Sequence, residues 1–342
     1  MKGKKDFFAD VIHRTGLVRL ASAMHSALWH DLRVLAYHRV LPRSDPEQFP
    51  YDIELVSAWE DEFDWQVGYI ARHYEPLTPT QLAALLDAGK PVPRNALLLT
   101  FDDGYRDNHD IALPILRRHG VAATVFVTTG YVDRCEVYWF DRLVHSIKLS
   151  RVKQIELEPG QVLELGHTMS QRQAVSETLL RHLKLRSDEH RLAAVQRWMD
   201  ALDVPAPRTE DSLHAPMSWA HVRNLAASGI EIGSHTVTHP VLSAVADDAQ
   251  LMHELRGSRL AIEAHTGRAV TALAYPVGGP RAYDERVVHA VREAGYRFAF
   301  TYTPGLNTPA KWDLLRLNRW AIERYVSRNR FRAMLAAPLA FV

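Results

Sequence analysis

Two short stretches of the 342-residue chain could carry chemistry. The first is Thr100-Phe101-Asp102-Asp103-Gly104-Tyr105, which closes an apolar run. Adjacent carboxylates at a strand end are costly unless a cation neutralises them. Their side chains diverge there, so one can bind an ion while the other reaches a neighbouring water. Gly104 permits a turn and close backbone approach. A surface Asp-Asp-Gly turn is the rival reading. The second stretch is Gly233-Ser234-His235-Thr236-Val237-Thr238-His239-Pro240, again after an apolar run. Histidines four apart fall on one side of a helical turn and can present two imidazoles to one ion. Neutral imidazole suits a borderline metal such as zinc. An Asp-His-His set leaves positions open for water and substrate, as a catalytic metal requires. Two unrelated loop histidines are the alternative, and the occurrence of both motifs together favours the metal.

The elements that must position these residues are legible from periodicity. Apolar runs at 33–38, 96–101, 122–127, 230–233, 270–275, 298–302 and 315–317 read as buried strands. Helical patterns fill 59–73, 80–88, 108–119, 219–228, 247–266 and 284–294, the last stopping at Gly295. Such alternation predicts a parallel sheet, open or closed into a barrel. Both motifs then lie at C-terminal strand ends, where active sites gather. Residues from about 138 to 216 break the rhythm. They read as an insertion, with a hairpin at 152–165 around Pro159-Gly160, a helical stretch at 170–202 and a linker at 204–207. Residues 1–30 read as an amphipathic helix, with Val11, Val18, Ala21, Met24 and Leu28 on one stripe.

Composition bounds the function. Hydrophobic residues make up 47% of the chain, enough for a large core. Lys and Arg total 41 against 40 for Asp and Glu, and a net charge of +1 gives no reason to expect nucleic acid. The single cysteine, Cys135, excludes a disulfide framework and a cysteine-rich zinc module. The start lacks a secretory pattern and no stretch is long enough to span a bilayer. The expected compartment is the cytoplasm. Weak contact of residues 7–28 with the inner membrane face is the minor alternative to a helix packed on its own domain.

The motifs resemble a known family. Thr100 to Tyr105 and His235 to Pro240 are similar to the first two motifs of the polysaccharide deacetylases, which include chitin deacetylases and rhizobial chitooligosaccharide deacetylases. Leu35-Ala36-Tyr37-His38-Arg39-Val40 resembles the first strand of the biofilm-exopolysaccharide members. Ala274-Tyr275-Pro276-Val277-Gly278-Gly279 is similar to the third motif. The resemblance covers roughly residues 33 to 322, with 138–216 outside the core pattern. It implies a distorted (β/α)7 barrel over residues 31–330 with a mixed α/β insertion. It also implies removal of N-acetyl groups from an N-acetylglucosamine-type glycan with a divalent ion, zinc first.

Carried over residue by residue, Asp102 becomes the general base and Asp103, His235 and His239 the metal ligands. In Tyr275-Pro276-Val277 a backbone N–H near Val277 would stabilise the oxyanion. By position near strand ends, Tyr105, Trp139, Tyr275 and Trp320 are candidates to stack on sugar rings, with Tyr105 and Tyr275 expected first and core packing as the plain alternative. Two departures stand out. Ala274 replaces the arginine that steadies the base in many members, and Arg319, at the close of the last strand, is the candidate substitute. No later histidine motif is found, and His38 is the candidate general acid. A surface arginine and a core histidine are the plain alternatives. Rival functions are an amidohydrolase acting on a cyclic ureide or imide, and a catalytically silent sugar-binding homologue. Acetate release from an N-acetylglucosamine oligomer separates them.

Overall fold

The computed structural model describes residues 31–183, 186, 188–207, 209, 212–309 and 312–341. The expected helix of residues 1–30, with its membrane contact, lies outside them. Twelve strands occur among the described residues. They are β1 (Arg33–Tyr37), β2 (Arg39–Leu41), β3 (Val56–Trp59), β4 (Glu75–Leu77), β5 (Ala96–Phe101), β6 (Thr124–Val127), β7 (Gln154–Glu158), β8 (Gln161–Glu164), β9 (Glu231–Ser234), β10 (Ala272–Ala274), β11 (Phe298–Phe300) and β12 (Trp320–Ala321). Seven run parallel in the order β11-β10-β9-β6-β5-β1-β12. The circuit closes because Phe300 of β11 bridges Leu317, whose chain continues into β12, and β12 pairs with β1. The result is the (β/α) barrel that the resemblance implies. A strand expected at 315–317 is instead this single bridge, with the regular pairing three residues later.

The strands read as continuous apolar runs because both faces are covered. β1 and β5 are buried at every position. Alternation then divides them. Val34, Leu98, Phe126, Ala272, Ala274, Phe298, Phe300 and Leu317 fill the barrel interior. Leu35, Tyr37, Leu97, Leu99, Phe101 and Val125 face the helical layer. Gly233 makes room in the interior: a Cβ there would come within 2.4 Å of the Phe126 ring.

The described residues within 138–216 form a layer with its own apolar cluster. Helix Trp139–Leu149 packs against helices Met169–Leu183 and Asp188–Leu202, and β7 and β8 form an antiparallel hairpin. Leu143, Ile147, Ile155, Leu179, Leu183, Trp198 and Met199 meet in its centre. The helical stretch expected over 170–202 is therefore two helices. A single helix of that length would run about 50 Å and hold Leu179 away from Trp198; folding back brings both into one cluster. Among the described residues no helix is long and apolar enough to cross a membrane.

Candidate active site

β5 delivers the paired carboxylates to the C-terminal mouth of the barrel. By strand alternation Leu98, Thr100 and Asp102 share the interior face. Asp102 is buried, and Arg319 holds it bidentately, with Nη1 to Oδ1 at 2.7 Å and Nη2 to Oδ2 at 2.6 Å. Arg319 is fixed in turn by Nε to the Thr301 carbonyl at 2.8 Å and Nη1 to Thr100 Oγ1 at 3.1 Å. Burial alone would raise the Asp102 carboxyl, but the Arg319 charge, aided by His235, outweighs it and holds it below the ordinary carboxylate range. Asp103 is left-handed, with φ 72°. That turn breaks the strand alternation, so both carboxylates line the same cavity.

β9 ends at Ser234 and delivers His235, whose Nδ1 lies 2.8 Å from the Ala274 carbonyl. That contact fixes Nδ1 as the protonated nitrogen and turns Nε2 towards Asp103. The expected helical turn between His235 and His239 is absent. Thr236 and His239 are both left-handed, with φ 69° and 60°, and the loop between them curls back. Glu254, buried 15 residues beyond His239, holds that curl. Its carboxylate accepts the Val237 N–H at 2.8 Å, the Thr238 N–H at 2.9 Å and the Thr238 hydroxyl at 2.6 Å. The opposite side of the loop rests on Gly130, whose N–H donates to the Val237 carbonyl at 2.9 Å. A Cβ on Gly130 would meet that oxygen at 2.7 Å.

The result is a cluster of Asp103, His235 and His239, with ligand atoms all within 4.8 Å of one another. Asp103 Oδ1 lies 3.5 Å from His235 Nε2 and 3.4 Å from His239 Nε2. Ligands bound at about 2.0–2.2 Å in tetrahedral array stand about 3.4 Å apart, so the cluster fits a zinc-sized ion. Burial, then the charge of His235, pushes the His239 imidazole down to about 3 and keeps it neutral. Burial works against ionised Asp103 as well, but the bond to His235, followed by the influence of His38, holds its carboxyl well below the usual range. A neutral imidazole and an ionised carboxylate are the states that coordinate a metal. A second His-Asp-His group, His109, Asp110 and His221, lies on the outer helices. There His221 Nδ1 takes the Ser218 N–H as a helix cap, and His109 lies between Asp110 and Asn224.

A cavity of about 540 Å³ opens over the cluster. The barrel contributes His38, Asp102, Asp103, His235, His239, Tyr275, Val277 and Tyr302 to its walls. Residues of the 138–216 layer, Trp139, Phe140, Leu180 and Arg191 among them, form the facing wall. His38 presents its ring edge to Tyr302, at 5.4 Å between centroids. Val277 is left-handed at φ 63° and 40% exposed, a strained state for a β-branched residue. Its N–H donates to no described residue. Pro276 supports that turn through its carbonyl, which accepts the Gly278 N–H at 2.7 Å. Tyr275 reaches the cavity wall while its hydroxyl donates to the Leu315 carbonyl at 2.9 Å. Tyr105, expected against the sugar, is wholly buried away from the cavity. Its hydroxyl donates to Asp141 Oδ2 at 2.5 Å, because the Asp103-Gly104 turn directs it beneath the inserted layer. Arg319 was legible as a candidate; Glu254 was not, since no local pattern links it to a loop 15 residues earlier.

Comparison with known proteins gives the family. The polysaccharide deacetylase pattern matches residues 89–299. The chain belongs to the polysaccharide deacetylase family. YxkH of Bacillus subtilis, named as a polysaccharide deacetylase, is 23% identical over 232 residues, covering 68% of this chain and 53% of that protein. Poly-beta-1,6-N-acetyl-D-glucosamine N-deacetylase of Escherichia coli K12 is 30% identical over 118 residues, covering 33% of this chain and 17% of that protein. The chain thus spans about half the length of the first and a small part of the second. Among solved structures, IcaB from Ammonifex degensii superposes with a TM-score of 0.57 at 19% identity, covering 90% of this chain and 97% of that one. At that identity the likeness is one of fold.

Proposed function

We propose that the chain hydrolyses N-acetyl groups of an N-acetylglucosamine-type poly- or oligosaccharide, with Asp103, His235 and His239 holding a divalent ion, zinc first. One observation carries this reading. In a member of the polysaccharide deacetylase family, a three-ligand cluster shares a cavity with a carboxylate that a buried arginine keeps ionised. When bound, the ion polarises the amide carbonyl and lowers the pKa of a water molecule.

The protein's own groups do the rest. Asp102 accepts the proton of the attacking water. Arg319 occupies part of its acceptor capacity, but a carboxylate offers about four lone-pair sites, so room remains. Arg319 also prevents Asp102 from neutralising itself by taking a proton from solvent. The unpaired Val277 N–H is a donor for the oxyanion that develops on the amide oxygen. His38, on the same cavity wall, protonates the departing amine as the carbon–nitrogen bond breaks, leaving acetate and a free amino sugar. The E. coli relative is named for deacetylation of such a sugar polymer, which supports the substrate class.

The test is acetate release from N-acetylglucosamine oligomers by the metal-loaded protein, with and without chelator. Acetate that appears, disappears on chelation and returns with a divalent ion supports the reading. Turnover of a cyclic imide with no acetate from any glycan would replace it with the amidohydrolase reading. Sugar binding without turnover would replace it with the silent one.

A further inference from the structure

Asp103 and Gly104 are consecutive left-handed residues, with φ 72° and 84°. Glycine adopts this conformation freely, whereas aspartate does so at a cost. Contacts from outside the turn must therefore hold it. The Thr128 N–H donates to the Asp103 carbonyl at 3.2 Å, and the Met217 N–H to the Gly104 carbonyl at 2.9 Å. Two further bonds come from the start of the inserted layer. The Tyr138 hydroxyl donates to the Asp103 carbonyl at 2.5 Å, and Asp141 accepts the Tyr105 hydroxyl at 2.5 Å. Tyr138, Tyr105 and Asp141 are all fully buried. Arg39 clamps Tyr105 from the other side, with its guanidinium 4.4 Å over the ring and its Nε 3.1 Å from Asp107.

The turn is thus tied on both sides to four consecutive residues, Tyr138 to Asp141. The two between them, Trp139 and Phe140, line the cavity, and the Phe140 ring lies 5.5 Å from that of His239. We infer that Tyr138 is a positioning residue for the metal site: its hydroxyl, acting through the Asp103 carbonyl, fixes the left-handed turn that aims the Asp103 carboxylate at His235 and His239. This rests on the reading of Asp103 as a metal ligand. It gives the inserted layer a second task besides walling the cavity, because the first turn of its leading helix completes the ion's surroundings. Simple aromatic packing is the competing role for Tyr138, whose ring lies 4.4 Å from that of Tyr131 and 5.1 Å from that of Phe140. Phenylalanine keeps that packing and removes the hydroxyl alone.

The experiment measures zinc affinity of the full chain by competition with a chromophoric chelator, alongside the melting temperature of the zinc-free protein. Tyr138→Phe and Tyr105→Phe are each expected to weaken zinc about tenfold or more, the scale seen when outer partners of a ligand are lost. Tyr37→Phe is the control. It removes an equally buried hydroxyl that donates to Gln66 at 2.8 Å, and should lower the melting temperature while leaving zinc affinity alone. Unchanged zinc affinity in Tyr138→Phe overturns the inference, whatever Tyr105→Phe does. If Asp103→Asn leaves zinc affinity intact, the ligand reading itself fails and takes the inference with it.

Discussion

Arg319 grips both oxygens of Asp102, at 2.7 Å and 2.6 Å, across 217 residues of sequence. Neither side chain is open to solvent, with exposures of 0% and 3%. The guanidinium cannot swing away, because its Nε is bonded to the Thr301 carbonyl. The cation comes from the residue immediately before β12. A buried pair of this kind is secure only while both partners are present, since losing one strands the other's charge.

Replacing the cation should therefore damage fold and chemistry together. Arg319→Ala is expected to cost about 3–5 kcal/mol in urea unfolding, the usual penalty for an uncompensated buried charge. Without the arginine, burial dominates and the Asp102 carboxyl rises. The acid limb of the acetate-release profile should move to higher pH. Arg319→Lys should fall between, because an ammonium cannot make the forked contact. An unmoved acid limb in Arg319→Ala would exclude Asp102 as the base.

His38 should act on the opposite limb. His38→Ala is expected to cut turnover by about 10²–10⁴-fold, the range for a lost general acid. Bound zinc, measured by atomic absorption, should stay at the wild-type level. The alkaline limb should flatten, because it reports loss of the acid's proton. Loss of zinc, or an intact alkaline limb, would remove His38 from the reaction.

Glu254 touches neither ligand, yet it holds the loop between them. Glu254→Ala leaves two N–H groups and a hydroxyl without their acceptor in a half-buried place. Zinc affinity should drop by about tenfold or more. The melting temperature of the zinc-free protein should fall as well. A variant with wild-type zinc affinity would mean that the left-handed Thr236 and His239 hold themselves.

Asp141 sets a pH dependence of stability. Burial, opposed by Arg39 and the Tyr105 hydroxyl, pushes its carboxyl up to about 7, and its Oδ1 has no hydrogen-bond partner. In the unfolded chain the same group titrates near ~3.9. Between these values the folded state keeps a proton that the unfolded state has lost, so this group lowers stability as pH rises from about 4 to 7. Asp141→Asn removes the effect. In urea unfolding of zinc-free protein, the variant should gain on wild type as pH rises, by an amount on the order of a few kcal/mol. A gap that narrows with rising pH would mean that the fold prefers the ionised group.

Much of this is legible in the sequence. The strands were readable because parallel strands covered on both faces leave unbroken apolar runs, as in Ala96–Phe101. The Asp-Asp and His-His motifs stood out because each follows such a run. What escaped was set by distant parts of the chain. His235 and His239 suggested a helical turn by spacing, but Glu254 and two left-handed residues bring their rings together instead. Tyr105 was expected at the sugar, yet the turn before it sends its ring beneath the inserted layer, where Asp141 takes its hydroxyl. The break within 170–202 is decided by which apolar side chains meet, and periodicity alone does not encode that.

Barrel closure has a consequence for the order in which the protein becomes competent. Asp103, His235 and His239 have all been synthesised by residue 239, but the partner of Asp102 arrives only at Arg319, on the chain that runs into β12. Until β12 docks against β1, Asp102 faces burial without its counter-charge. Without Arg319 the carboxyl loses the largest charge that holds its proton affinity down. Asp102 therefore has its counter-charge only once the sheet has joined its own beginning.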